Sequence, residues 1–277
     1  SDEVIDLLFR IFCEPGRDEV IICPPTYGMY RVSADINDIR VNEVRLTDDF
    51  QLDVPAILSN STDKTKIIFI CSPNNPTGNL MRRESIIKIA EEFNAIVLVD
   101  EAYIHFTDSP SMAGEIDKLL NLVVLQTFSK AWGMAGLRVG TAFADERIIH
   151  LMNRVKPPYN VSGIAQRTVI EAFCQKNKVD VWVKQAVEQR EALAAKIGQF
   201  SFVRKVYHSD ANFILVKTTH ADAIYEYLIR EKIVVRNRSN VELCEGCLRI
   251  TVGTPVENDR LNESLARFAQ RAGASGI

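Results

Sequence analysis

Lys130 ends the run Thr127-Phe128-Ser129-Lys130, and two other polar runs, Ser72-Pro73-Asn74-Asn75-Pro76-Thr77-Gly78 and Asp100-Glu101-Ala102-Tyr103, share its setting. Each begins directly, or one residue, after a stretch of consecutive apolar residues. Taken singly, each has an ordinary structural reading. Asparagine, proline and glycine make turns, an aspartate after a strand caps a helix, and a loop lysine is commonly solvated. Taken together, they supply an amine that condenses with an aldehyde and a carboxylate that holds a protonated ring nitrogen. They also supply hydroxyl and amide groups for a phenolate oxygen and donors for a phosphate. One aldehyde cofactor accounts for the whole set.

The elements that must position these groups follow from the apolar runs Ile67–Cys71, Ile96–Val99 and Leu122–Leu125. Their apolar residues are consecutive rather than alternating, which predicts parallel strands covered on both faces. Between the first two, Ile86, Ile87, Ile89, Ala90 and Phe93 fall at helical spacing and complete a β-α-β unit. Ligands collect beyond the carboxyl ends of strands in such a sheet, so the three polar runs are expected to converge on one crevice. Upstream, Asp2–Phe12 has helical spacing with acidic residues in its first turn, and Glu14-Pro15-Gly16 breaks it. Val20–Cys23, closed by Pro24-Pro25, reads as a short buried strand, Val41–Leu46 as the next, and Val139–Phe143 as one more.

After Tyr159 the pattern changes to two long helices, about Ser162–Gln175 and Val179–Ile197, followed by strands at Phe213–Val216, Ile233–Val235 and Leu248–Val252. This predicts a large domain over residues 1–170 and a smaller C-terminal α/β domain over 171–277. No Pro/Gly/Ser-rich linker separates them, so a helix near residue 170 carries the connection.

The formal net charge of -3 and the absence of any lysine- or arginine-rich run give no footprint for nucleic acid, and point to small-molecule chemistry. No apolar stretch has the length of a membrane span, and Ser1-Asp2-Glu3 is the opposite of a positively charged signal start, so a cytoplasmic protein is expected. The six cysteines are scattered, mostly through apolar segments, as small buried hydrophobes in a reducing compartment would be. Cys244-Glu-Gly-Cys247 has no matching second pair, and no metal site is read from it.

With these residues in view, the chain resembles the fold-type I pyridoxal-phosphate-dependent aminotransferases over nearly its whole length, and within them the histidinol-phosphate aminotransferases. The wider resemblance is carried by Cys23-Pro24-Pro25-Thr26-Tyr27-Gly28-Met29-Tyr30, Ser72–Gly78, Asp100–Tyr103, and Thr127–Lys130 with Arg138. The narrower one rests on Pro157-Pro158-Tyr159-Asn160-Val161-Ser162, preceded by Lys156, and on Leu248-Arg249-Ile250-Thr251-Val252-Gly253.

The resemblance implies a mainly parallel sheet flanked by helices in the large domain and a smaller C-terminal domain, with pyridoxal 5'-phosphate as the cofactor. It implies that Lys130 holds the cofactor as a Schiff base and then moves the substrate's proton, and that Asp100 sits on the pyridine nitrogen. Asn75 and Tyr103 are carried over as donors to the phenolate oxygen, and Tyr27 as the ring stacked on the pyridine. Thr127, Ser129 and Arg138 are candidates for the phosphate, together with the backbone N–H groups of Ser1 and Asp2 at a helix start. Arg236 and Arg249, thirteen residues apart, resemble the pair that holds substrate phosphate or carboxylate.

The implied reaction is amino transfer between L-histidinol phosphate and 2-oxoglutarate in histidine biosynthesis, by a homodimer. The arginine pair by itself leaves open an aromatic amino-acid aminotransferase or a threonine-phosphate decarboxylase. A cofactor-sensing regulatory domain is the alternative from another class, and it needs an attached DNA-binding segment. Family members carry several tens of residues before the position of Ser1, which leads to the expectation of an N-terminally truncated chain with weakened cofactor and substrate binding.

Overall fold

The computed structural model describes residues 1–275, with side chains to residue 271. The chain opens with α1 (Asp2–Phe12), β1 (Glu19–Ile22), α2 (Met29–Ile36), β2 (Arg40–Glu43), α3 (Val54–Ser59) and β3 (Thr65–Cys71). It continues through α4 (Arg83–Glu92), β4 (Ile96–Asp100), β5 (Leu122–Thr127), β6 (Gly140–Phe143) and α5 (Glu146–Val155). Six strands form one sheet in the order β2-β1-β3-β4-β5-β6. All its pairs are parallel except β5 with β6.

The consecutive apolar residues of β3, β4 and β5 are explained by helices on both faces. Ile68, Ile70, Val97, Val99 and Val124 pack toward Ile57, Ile86 and Ile89 of α3 and α4. The residues between them, Ile67, Phe69, Leu98, Val123 and Leu125, pack toward Ile5, Leu8 and Phe9 of α1, Tyr30 of α2 and Ile148 of α5. Because side chains alternate across a strand, an apolar residue is needed at every position to satisfy both layers.

Beyond α5 the chain runs through α6 (Gly163–Phe173), α7 (Lys176–Ile197), β7 (Val203–Val206), β8 (Phe213–Thr218), α8 (Ala221–Arg230), β9 (Arg236–Asn237), β10 (Cys247–Thr251) and α9 (Pro255–Ser275), and a second sheet forms there. This sheet is antiparallel throughout, in the order β7-β8-β10-β9, and shares a core with α7, α8 and α9. The expected strand at Ile233–Val235 is not formed. Lys232 turns the chain with φ 58, the Ile233 N–H bonds back to the Leu228 carbonyl, and pairing begins only at Arg236. Strand β7 was not anticipated, because Arg204 and Lys205 interrupt its two valines.

The two sheets are tied at the loop after β3. Gly78 takes φ 89, and a Cβ there would lie 2.5 Å from Ser209 Oγ, so only glycine lets the loop before β8 come this close. The Asp210 N–H donates to the Gly78 carbonyl at 2.8 Å, and the Asp210 carboxylate accepts from the Leu80 N–H at 2.8 Å. From α7, the buried Arg190 guanidinium donates to the carbonyls of Phe106 and Ala211 at 3.3 and 3.0 Å.

Candidate active site

The carboxyl ends of β3, β4 and β5 open on a cavity of about 190 Å³. Its wall contains Ser1, Asp2, Tyr27, Asn75, Asp100, Tyr103, Thr127, Ser129, Lys130 and Arg138, with Cys71, Ala102, Ala135 and Val139 between them. The three polar runs therefore meet as their positions after the strands require. Asn74 holds the loop after β3 against the segment before α2: its amide donates to the Pro25 carbonyl at 2.9 Å and to Thr77 Oγ1 at 2.7 Å.

Asp100 closes β4 and is 3% exposed. Its Oδ2 accepts from the Tyr30 hydroxyl at 3.0 Å and its Oδ1 from the Ala102 N–H at 3.1 Å. Burial pushes the carboxyl's pKa up, and these two donors pull against that push. Tyr30 lies wholly inside, its ring stacked 4.9 Å from Phe69 and met edge-on by Tyr27 at 5.6 Å. Burial raises its hydroxyl's pKa well above the usual value, so Tyr30 stays a donor to Asp100.

Lys130 reaches into the cavity with Nζ 5.3 Å from the centre of the Tyr103 ring, and remains accessible from the cleft. Partial desolvation first, and then the Arg249 cation, lower the pKa of its amine, while Asp100 and Asp2 oppose the shift. A lysine in this setting is uncharged more readily than one in water, as a nucleophile or proton acceptor must be.

Around the other end of the cavity, the Ser129 N–H donates to Thr127 Oγ1 at 3.1 Å. Arg138 takes a left-handed backbone, φ 56, and its guanidinium donates to Asp2 Oδ2 and to the Ala135 carbonyl, each at 3.1 Å. Asp2 also accepts from the Tyr27 hydroxyl at 3.3 Å. The start of α1 is pressed against β6: a Cβ on Gly140 would stand 2.3 Å from the Ser1 nitrogen. These helix-start N–H groups, the two hydroxyls and Arg138 form a site suited to an anion.

A second cleft of about 630 Å³ adjoins the cavity and shares Tyr27, Asn75, Tyr103 and Lys130 with it. Arg236, Arg238 and Arg249 also line it, and among the described residues no acidic one does. Arg236 and Arg249 face each other across β9 and β10. The Arg249 guanidinium lies 4.9 Å over the Phe213 ring and donates to Asn75 Oδ1 at 2.5 Å. That bond occupies the amide oxygen and leaves the Asn75 NH₂ as a donor.

The residues present fit pyridoxal phosphate: an amine for its aldehyde, one buried carboxylate for its ring nitrogen, a hydroxyl and an amide for its phenolate oxygen, and a helix start with hydroxyls for its phosphate. Tyr30 and Arg238 are the site residues that sequence reasoning passed over. Tyr30 ends the run Cys23–Tyr30, but its partner is seventy residues away, and Arg238 resembles any arginine in a turn.

The family described as aminotransferase class I and II matches residues 1–265. The histidinol-phosphate aminotransferase of Cytophaga hutchinsonii is 50% identical over 268 residues, covering 97% of this chain and 77% of that protein. The crystal structure of the histidinol-phosphate aminotransferase from Clostridium acetobutylicum superposes with a TM-score of 0.89 at 25% identity, covering 98% of this chain and 82% of that one. The enzyme from Sinorhizobium meliloti, solved in complex with pyridoxal 5'-phosphate, has the same fold at a TM-score of 0.87 and 21% identity, covering 98% of this chain and 75% of that one.

Proposed function

This chain belongs to the class I and II aminotransferase family, and from that membership we propose that it transfers the amino group of L-histidinol phosphate to 2-oxoglutarate, giving imidazole-acetol phosphate and glutamate in histidine biosynthesis. The observation that carries the reading is the joining of two sites through Lys130. The inner cavity holds Asp100, and the cleft beside it presents arginines and, among the described residues, no acidic one.

The cofactor is pyridoxal 5'-phosphate, which when bound supplies the aldehyde that takes up the amino group and the ring that accepts the electron pair left as the substrate loses its proton. Lys130 binds the cofactor and then serves as the base, taking the proton from the substrate carbon and returning it one position along. Its lowered pKa suits it to both tasks. Asp100 keeps a proton on the ring nitrogen, with Tyr30 and Ala102 fixing both carboxylate oxygens. Asn75 and Tyr103 donate to the phenolate oxygen, and Tyr27 packs on the ring. Thr127, Ser129, Arg138 and the N–H groups of Ser1 and Asp2 hold the phosphate. Arg236 and Arg249 bind the anionic groups of the two substrates, which occupy the cleft in turn.

The fold divides at about residue 170 into a cofactor domain and a smaller domain carrying the arginines. The enzyme works as a homodimer in the cytoplasm. Among the described residues no helix is long and apolar enough to cross a membrane.

Steady-state rates with histidinol phosphate, phenylalanine and threonine phosphate, each with 2-oxoglutarate, test the reading. Turnover is expected to be highest with histidinol phosphate and to yield one glutamate per ketone formed. A preference for phenylalanine, or carbon dioxide released from threonine phosphate, would contradict it, and DNA binding without turnover would indicate a regulator instead.

A further inference from the structure

Phe213 opens β8, and its ring lies between two side chains that the reaction uses. The Arg249 guanidinium stands 4.9 Å over the ring, and the Tyr103 ring meets it at 5.2 Å with the planes at 86°. Tyr103 in turn has Lys130 Nζ 5.3 Å from its centre. The reaction gives Phe213 no task, and at 2% exposure it would pass for core.

The register of the small sheet sets this contact. Strands β8 and β10 pair with Phe213 opposite Thr251 and Leu215 opposite Arg249, so Phe213 and Arg249 are diagonal neighbours on one face, within reach for long side chains. The segment that carries the ring is pinned: the Ser209 hydroxyl donates to the Phe213 carbonyl at 2.5 Å, and the Val252 N–H donates to the Asn212 carbonyl at 2.9 Å. The loop after β3 closes on the ring itself, since a Cβ on Gly78 would lie 3.4 Å from Phe213 Cε2. The ring is thus a fixed surface beside a side chain that rotates about several bonds.

A guanidinium in a cleft is held in place either by a carboxylate or by the negative face of an aromatic ring. A carboxylate would take the same N–H groups that an incoming anion needs, whereas a ring attracts the cation through its flat face and leaves the edge donors free. Among the described residues no acidic side chain lines the cleft, and the hydrogen bond of Arg249 is the one donated by Nη1 to Asn75 Oδ1. Ring and amide therefore fix the plane of the guanidinium while leaving Nη2 uncommitted.

We propose that Phe213 is a positioning residue of the amino-transfer reaction: its face holds the Arg249 guanidinium in the orientation that receives the substrate carboxylate, and the same ring braces Tyr103 beside the cofactor. The proposal rests on the reaction assigned above and adds the element that aims its arginine.

The test replaces Phe213 site-specifically by phenylalanines carrying one, two and three ring fluorines, which keep the shape of the ring and drain its negative face. Holoenzyme loaded with pyridoxal phosphate is mixed with glutamate, and the half-reaction is followed by cofactor absorbance. The glutamate concentration at half the maximal rate is expected to rise in order of fluorine number, by roughly two- to thirtyfold across the series, with the maximal rate unchanged. In an Arg249→Gln background the series should be flat. Phe213→Leu, which removes the face altogether, should lie at or beyond the trifluorinated enzyme; if that variant does not fold, the fluorinated series carries the comparison. A half-saturating concentration indifferent to fluorination, or one that rises equally in the Arg249→Gln background, overturns the proposal. A wild-type enzyme inert toward glutamate overturns the assigned reaction and this proposal together, whereas normal wild-type turnover with a flat series overturns only the role of Phe213.

Discussion

Asp100 is an acid kept where water would not keep it. Its pKa in the folded chain is raised, chiefly by burial, so the native state takes up a proton more readily than the unfolded chain. Stability is then lost as the pH rises through the unfolded carboxyl's value, and at neutral pH the buried carboxyl is a net cost to the cofactor-free protein. Asp100→Asn should therefore raise the melting temperature of the cofactor-free enzyme, by about 2–4 °C for each kcal/mol relieved, while slowing proton abstraction in a single turnover. A lower midpoint in differential scanning calorimetry would show that the charge is already compensated. Lys130 gives a second test. Arg249 helps to depress its amine, so in Arg249→Gln the pH midpoint for labelling of Lys130 by an amine-reactive reagent should move up toward the ordinary lysine value of 10.5; a midpoint that stays put would remove Arg249 from the electrostatics of the site. Lys130 and Asp100 were legible in the sequence because each is a polar residue just beyond a buried strand. Tyr30 was not, since a tyrosine on the buried face of a short helix looks like core until Asp100 is brought to it.

At the scale of the elements, the helix α1 and the strands β3, β4 and β5 were readable from apolar spacing, because burial on one stripe or on two faces leaves a strong pattern. The small sheet was less readable. Its strands β7 and β9 are short and partly exposed, with little apolar content, and Ile233–Val235 is apolar because Ile233 and Val235 pack under α8, not because the segment pairs. The approach of α1 to β6 was also hidden, since a glycine in a strand does not announce what it accommodates. Gly140→Ala places a carbon 2.3 Å from the Ser1 nitrogen, closer than the two atoms can stand, and must push the helix start away. Cofactor titration should show weaker binding of pyridoxal phosphate in this variant, and an unchanged dissociation constant would mean that the helix start does not hold the phosphate.

At the scale of the whole molecule, the arginine-lined cleft forms where the two sheets come together, Asn75 from the loop after β3 touching Arg249 of β10. Arg190 supports that meeting from α7 by donating to a carbonyl of each side. Arg190→Met leaves both carbonyls short of a donor, at about 1–3 kcal/mol each, and should lower the midpoint of urea unfolding; an unshifted midpoint would show that water replaces the guanidinium at no cost. One turnover without a keto acid tests the assigned reaction and the role of Lys130 together. Pyridoxal-phosphate-loaded enzyme is mixed with a slight excess of histidinol phosphate, and the ketone formed and the change in cofactor absorbance are measured together, for the wild type and for Lys130→Ala. One ketone per aminated cofactor is expected in the wild type, and neither ketone nor aminated cofactor in the variant. Ketone formation by Lys130→Ala at the wild-type rate, or no amination of the wild-type cofactor, would contradict the assignment.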